Sequence, residues 1–333
     1  MWLINVWFSA STFVVKIATF AKPETVRGNF SAEMSEKNER KKQHTIPKVY
    51  LKHFKIDNDL NRSYVYCIDF NGKKIEVQKK GFKDPIFKQK KFYNNPKFKD
   101  PFLIENVFGE NFEPKYEKIM KVISNEEKID EDIMSELIFW LYISKMRSPY
   151  LREDLKDKMS WYFETYNSLN NISQTIEEKE EQAKYIDKYA REINLSSFAE
   201  EEQVKKLYEI YVKTLSFKEW IVLKSSETLP FWTNYNPGFS INTNLESAIE
   251  KPFHFNLEMN STSINCFVLS PKYCLLIKPF MGKTDFMLNK NLTYESASIN
   301  QINLINYGVF YTKQRTLISN SSTLLNECVK TIK

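Results

Sequence analysis

The chain has 333 residues, 42% of them hydrophobic and 27% charged, with only seven glycines, four cysteines and three histidines. That is the composition of a globular protein with a sizeable core and no need of disulfide staples. It leaves no glycine-rich phosphate loop, no zinc-ligand spacing and no HExxH or Gly-x-Ser-x-Gly context. Net charge is +6 but unevenly spread: residues 34–100 hold 18 basic against 8 acidic side chains, and residues 101–333 hold 27 against 32. A basic N-terminal third suits a nucleic acid or another polyanion, or else a solvated surface facing the acidic remainder.

The opening "MWLINVWFSASTFVVKIATFA" is apolar but interrupted by Lys16, and it lacks a basic leader. "MSEKNERKKQH" from Met34 reads as an ordinary polar N-terminus. Residues 1–33 are therefore expected to be an over-extended start or a hydrophobic leader, with 34–333 as one α+β domain. A cytoplasmic protein follows, or one anchored to a membrane through residues 2–21 if that stretch is real.

"KKQHTIPKVYLKHFKI" places Thr45 where it can cap a short amphipathic helix, with Pro47 in its first turn and Ile46, Val49, Tyr50 and Phe54 at helical spacing. His44 stands just before this helix. The positive end of the helix dipole would hold its imidazole neutral, a competent base. "SYVYCIDFNGKKIEVQ" predicts a hairpin turning at Asn71-Gly72 by a type I′ turn. Residues 79–101 are lysine-rich, interleaved with Phe82, Phe87, Phe92, Tyr93 and Phe98 and broken by prolines, which predicts an irregular loop. Lys88, Lys90 and Lys91 with these rings make either a single-stranded nucleic-acid grip or a basic loop anchored by its aromatics.

Helical periodicity runs from Phe102 to about Tyr211, broken at Arg147-Ser148-Pro149. Arg147 ends an apolar helix, where its guanidinium needs a carboxylate or phosphate partner. The pattern then turns to strands: "FKEWIVLKSS" and "LPFWTNYNPGFSI" as a pair, then "NCFVLSPKYCLLIKPF" as two strands joined at Ser270-Pro271-Lys272. A last helix closes the block. Hairpin, helical block, antiparallel β block and helix make an α+β fold. Asn236 and Ser270 precede prolines and serve as turn residues or ligand contacts. Asn303 and Asn306 share a helix face, as a ligand contact or as a network tying helix to sheet.

The pattern HxxPxxYLxxF at His44, Pro47, Tyr50, Leu51 and Phe54 is followed by several others in order. They are Arg147-Ser148-Pro149, a strand led by Trp220, Thr233-Asn234-Tyr235-Asn236-Pro237, a Leu-Ser-Pro turn and an Asn-rich helix. Together they resemble the domain-of-unknown-function family 4238, common in bacteria, over roughly residues 43–320. The resemblance implies architecture and candidate positions, no activity and no cofactor. Tyr235 stands where the family pattern has an aspartate, so an acid/base or metal role there would be lost. Two functions remain open. One is a non-catalytic binding or regulatory protein, with a protein partner, whose polar residues hold the fold. The other is a nucleic-acid-binding or phosphodiester-cleaving protein. In that reading His44 acts as base, Arg147 as charge stabiliser, and Asn236 and Asn306 join them in a pocket.

Overall fold

The computed structural model describes residues 42–56, 63–90, 92–93, 103–199, 201–216, 218–242, 253–254, 263–279, 292–313 and 315–332. The leader stretch, Lys91 and Phe98 lie outside these. Among the described residues no helix is long and apolar enough to cross a membrane.

The fold is α+β. Strand β1 (Lys42–His44) pairs antiparallel with β4 (Lys88–Lys90), and helix α1 (Lys48–Lys52) follows it. Val49, Tyr50 and Leu51 are buried, so this helix of little more than one turn is set into the core on more than one side. Thr45 is not its cap. The N-cap position is Pro47, which makes no side-chain bond, and the Thr45 hydroxyl donates instead to the Phe87 carbonyl at 3.3 Å. His44 therefore lies on a strand and not at a helix end.

Strands β2 (Tyr64–Asp69) and β3 (Val77–Gly81) form the expected hairpin, with Ile68 opposite Val77. Its turn is longer than Asn71-Gly72 predicts, and no glycine among the described residues has positive φ, so a type I′ turn is absent there. Asp69 explains the difference. Its carboxylate accepts from the Asn71 N–H at 3.1 Å, its carbonyl accepts from Gly72, and both carboxylate oxygens take Arg315, at 3.2 and 3.1 Å. The chain is drawn around this carboxylate before it can turn back.

The helical block begins with α2 (Leu103–Val107) and α3 (Glu113–Ser124), joined through a π-helical turn (Phe108–Phe112). The widened turn lets both Phe108 and Phe112 face inward, with Phe112 stacked on Trp140 at 4.5 Å. Helix α4 (Glu131–Arg147) is buried almost all round, which is why it shows little amphipathic periodicity. Ser148 then caps α5 (Pro149–Leu169), its hydroxyl accepting from the Tyr150 N–H at 3.2 Å, with Pro149 at the first helical position. Helices α6 (Ile176–Ala199) and α7 (Glu201–Ser216) complete the block.

The remaining strands are β5 (Lys218–Lys224), β6 (Gly238–Asn242), β7 (Phe253–His254), β8 (Ser263–Val268), β9 (Tyr273–Pro279) and β10 (Thr293–Ser296), in the order β10-β5-β9-β8-β6-β7. β8 and β9 are the predicted pair across Ser270-Pro271-Lys272. β5 and β6 are not neighbours: β9 and β8 separate them. The sheet is also mixed, since β10 runs parallel to β5. Helix α8 (Ile299–Tyr311) is not the end. Strand β11 (Thr316–Ser319) returns to β2, and helix α9 (Ser322–Ile332) packs beside that hairpin. Cys67, Cys266 and Cys274 are buried free thiols inside this core.

Gly308 brings α8 down onto the sheet: the ring of Phe239 fills the space a Cβ would need, and both residues are buried. We expect Gly308→Ala to lose about 1–3 kcal/mol in urea denaturation, because overpacking outweighs the helix propensity gained. A variant more stable than the parent would mean the ring moves aside freely.

Candidate functional site

Arg147 is 1% exposed. Its Nη2 donates to the His44 carbonyl at 3.2 Å, and its Nε reaches the Tyr93 hydroxyl at 3.4 Å. The Tyr93 hydroxyl in turn donates to the Arg147 carbonyl at 3.2 Å. Glu113 stands 3.8 Å from Nη1, and the guanidinium lies 4.5 Å over the Phe108 ring. The structure thus brings His44 and Arg147 together, but through the histidine's backbone. The His44 imidazole is held at about pKa 3 by burial, then by the charges of Lys48 and Lys88. The base would be neutral as expected, for a different reason.

Beside this pair is a cavity of about 10 Å³, lined by Ser144, Arg147, Tyr235 and Pro237 among others. It admits one water and nothing larger. Tyr235 is buried, and burial keeps it a neutral phenol. Asn236 is buried, and its N–H donates to the Asn234 side chain at 2.6 Å. Asn306 is committed to the 230–232 segment, accepting from the Trp232 N–H at 2.8 Å and donating to the Pro230 carbonyl at 3.0 Å. Asn303 is exposed, away from Asn306. Of His44, Arg147, Asn236 and Asn306, Arg147 alone lines this small cavity.

Where it is described, the lysine-rich stretch is not an irregular loop: it ends β3, makes a 3-10 turn (Pro85–Phe87) and forms β4, and its rings anchor it. Phe82, Phe87, Phe92 and Tyr93 are all buried, so none offers a face to a base. Lys88 lies opposite His44 on β4, and Lys90 ends that strand. Among the described residues no group of three or more His, Cys, Asp or Glu side chains could hold a metal ion.

An open groove lies elsewhere among the described residues. A groove of about 610 Å³ runs between the end of α1, helix α3, the 225–230 segment and the β8–β9 turn. Ser270 lies on it, as a wall residue: its hydroxyl accepts from the Lys272 and Tyr273 N–H groups at 3.2 and 3.1 Å. The turn is fixed from behind. The Tyr116 hydroxyl donates to the Leu269 carbonyl at 2.5 Å, and the Ser225 hydroxyl to the Pro271 carbonyl at 2.9 Å. In the groove His53 Nε2 lies 3.4 Å from Glu117, which also takes Lys52 at 3.5 Å. Burial lowers the His53 pKa against the pull of Glu117. Lys55, Lys121 and Lys272 line the same groove. His53 sits inside the opening stretch of sequence, but Glu117 is on a distant helix, and no spacing pairs them.

Fold and groove together define an α+β protein with a hydrophobic core crossed by buried polar bonds and, among the described residues, a wide groove lined by polar side chains. The chain belongs to the family described as Protein of unknown function (DUF4238), whose model matches residues 42–323. No curated protein and no solved structure matches it.

Two outcomes follow from the buried pair. Arg147→Ala should cost about 3–5 kcal/mol in chemical denaturation, since it strips a buried network of its donor; unchanged stability would show the guanidinium to be dispensable to the fold. His44 accepts a proton near pH 6.5 when unfolded but only near pH 3 when folded. Its contribution is therefore complete above pH 6.5 and is lost as pH falls toward 3. The stability of His44→Gln, followed by denaturation across that window, should fall less steeply by on the order of 1–2 kcal/mol. Parallel curves would assign the acid limb to other groups.

Proposed function

We propose that this chain is a non-catalytic binding protein that takes a small phosphate-bearing ligand in the groove between α3 and the β8–β9 turn. The observation that carries this reading is the groove's charge. Lys55, Lys121 and Lys272 line it, and none of them pairs with a carboxylate among the described residues. The Glu117 charge is already met by Lys52, which leaves Glu227 as the opposing carboxylate. Lysine ammoniums serve as point charges for phosphate, and the volume lies in the range of small-molecule sites. The non-catalytic part is supported by Arg147, Asn236 and Asn306, which are buried and make hydrogen bonds within the fold.

The test is isothermal titration of inorganic phosphate, pyrophosphate and a nucleoside monophosphate at low ionic strength. A short single-stranded oligonucleotide is run beside them. Binding of at least one small phosphate is expected, at least about tenfold weaker in the Lys121→Glu/Lys272→Glu variant. The reading fails if no small phosphate binds, or if binding survives the charge reversal. Oligonucleotide binding that ignores the reversal, with no small phosphate bound, would move the polyanion site to the basic N-terminal third.

A further inference from the structure

His53 lines the groove, and it is set into the wall between the end of α1 and helix α3. Its side chain is 23% exposed, so the ring is part wall and part core. The imidazole packs edge-on against the Tyr116 ring at 5.4 Å, and Nε2 lies 3.4 Å from the Glu117 carboxylate. Tyr116 is itself fixed by its bond to the Leu269 carbonyl, which holds the imidazole beside Glu117. Glu117 is half-exposed and also takes Lys52. A titratable ring is thus coupled to a carboxylate in the wall of a site lined by lysines.

We infer that phosphate binding in this groove is proton-linked through His53: the anion binds more tightly when the imidazole is protonated, and His53 takes up a proton as the groove fills. The inference rests on the phosphate reading of the groove and adds its regulation. The charged and titratable groups around His53 come from each element that forms the groove. Lys52 and Lys55 flank it in the chain, Glu117 and Lys121 belong to α3, Glu227 to the 225–230 segment, and Lys272 and Tyr273 to the β8–β9 turn. Glu117 pulls toward the imidazolium, Lys52 and burial push against it, and burial prevails. In the empty groove the ring is therefore neutral at pH 7. A phosphate held by Lys55, Lys121 and Lys272 brings negative charge beside that ring and favours its protonated form. Linkage then requires the proton to favour phosphate by the same factor. Protonation acts on the anion in two ways. It adds one positive charge to the wall, and it gives Glu117 a charged partner there, so the carboxylate repels the anion less.

Nuclear magnetic resonance of the histidine rings tests it, in the full chain titrated from about pH 5 to about pH 8.5. Inorganic phosphate is compared with sodium chloride at the same ionic strength, and His53→Gln assigns the His53 signal by its loss. Phosphate should move the His53 midpoint upward by about half to one pH unit and leave His44 in place. Glu117→Gln should lower that midpoint in the empty groove. Calorimetry reads the reciprocal effect. The phosphate affinity of the parent relative to His53→Gln should grow about three- to tenfold from pH 8 to pH 5.5, the phosphate's own titration cancelling in the ratio. Phosphate that binds but leaves the His53 midpoint unmoved overturns the proton linkage, and the phosphate reading stands. Phosphate that binds at no pH overturns both.

Discussion

A guanidinium removed from water needs partners, and those of Arg147 come from distant parts of the chain, with Nη1 left to the charge of Glu113 and no hydrogen bond of its own. Strand β1 gives the His44 carbonyl, the lysine-rich loop gives the Tyr93 hydroxyl, the π-helical turn gives the Phe108 face, and α3 gives Glu113. None of these is a neighbour of Arg147 in sequence. A buried charge left short of partners costs several kcal/mol, so the arrangement is close to all-or-none. This one residue fixes where the first strand, the loop and the helical block meet. The opening motif then reads as the complement of that constraint: it supplies the carbonyl that the charge needs and the helix that packs beside it.

The same economy recurs through the interior. The Tyr50 hydroxyl contacts Thr233 Oγ1 and donates to the Val268 carbonyl, both at 2.7 Å, and the Asn234 side chain donates to the Val309 carbonyl at 2.7 Å. Asn306 holds residues 230 and 232. These bonds hold the 225–237 segment, which turns and bends along its length and among the described residues has a single bridge, Thr233 to Ile318, in place of a ladder. Buried backbone groups demand such partners, and here side chains supply them. Because the inner side of that segment is secured by helices α1 and α8, its outer side is free to serve as a wall of the groove. The polar residues that mark the sequence and the wall of the groove are thus two sides of the same strip of chain.

Periodicity made the element types visible. The hairpin, the long helices and the β8–β9 pair all carry local patterns strong enough to read. Partnership was not visible, because it is set at long range. β5 and β6 are consecutive strands separated in the sheet by β8 and β9. Thr45 has a capping side chain, but the Phe87 carbonyl claims it. The Asn71-Gly72 turn is overridden by Asp69, whose partner Arg315 is far along the chain. The candidate residues were chosen for chemistry that is rare on surfaces, and that selects buried structural groups as readily as catalytic ones. His53 stood in the opening stretch, yet its significance rests on Glu117, and no local spacing links them.

Strand β11 has a consequence for how this protein is made. Tyr66 to Asp69 on β2 pair with Thr316 to Ser319, and the Asp69–Arg315 bond spans 246 positions. During synthesis the N-terminal hairpin leaves the ribosome with an open edge, and it keeps that edge until nearly the whole chain has been translated. Contacts of such separation slow folding and leave hydrogen-bonding edges available to other chains. The hairpin thus waits for almost the whole chain before its edge is covered. A chain released before residue 316 would lack the strand that closes it.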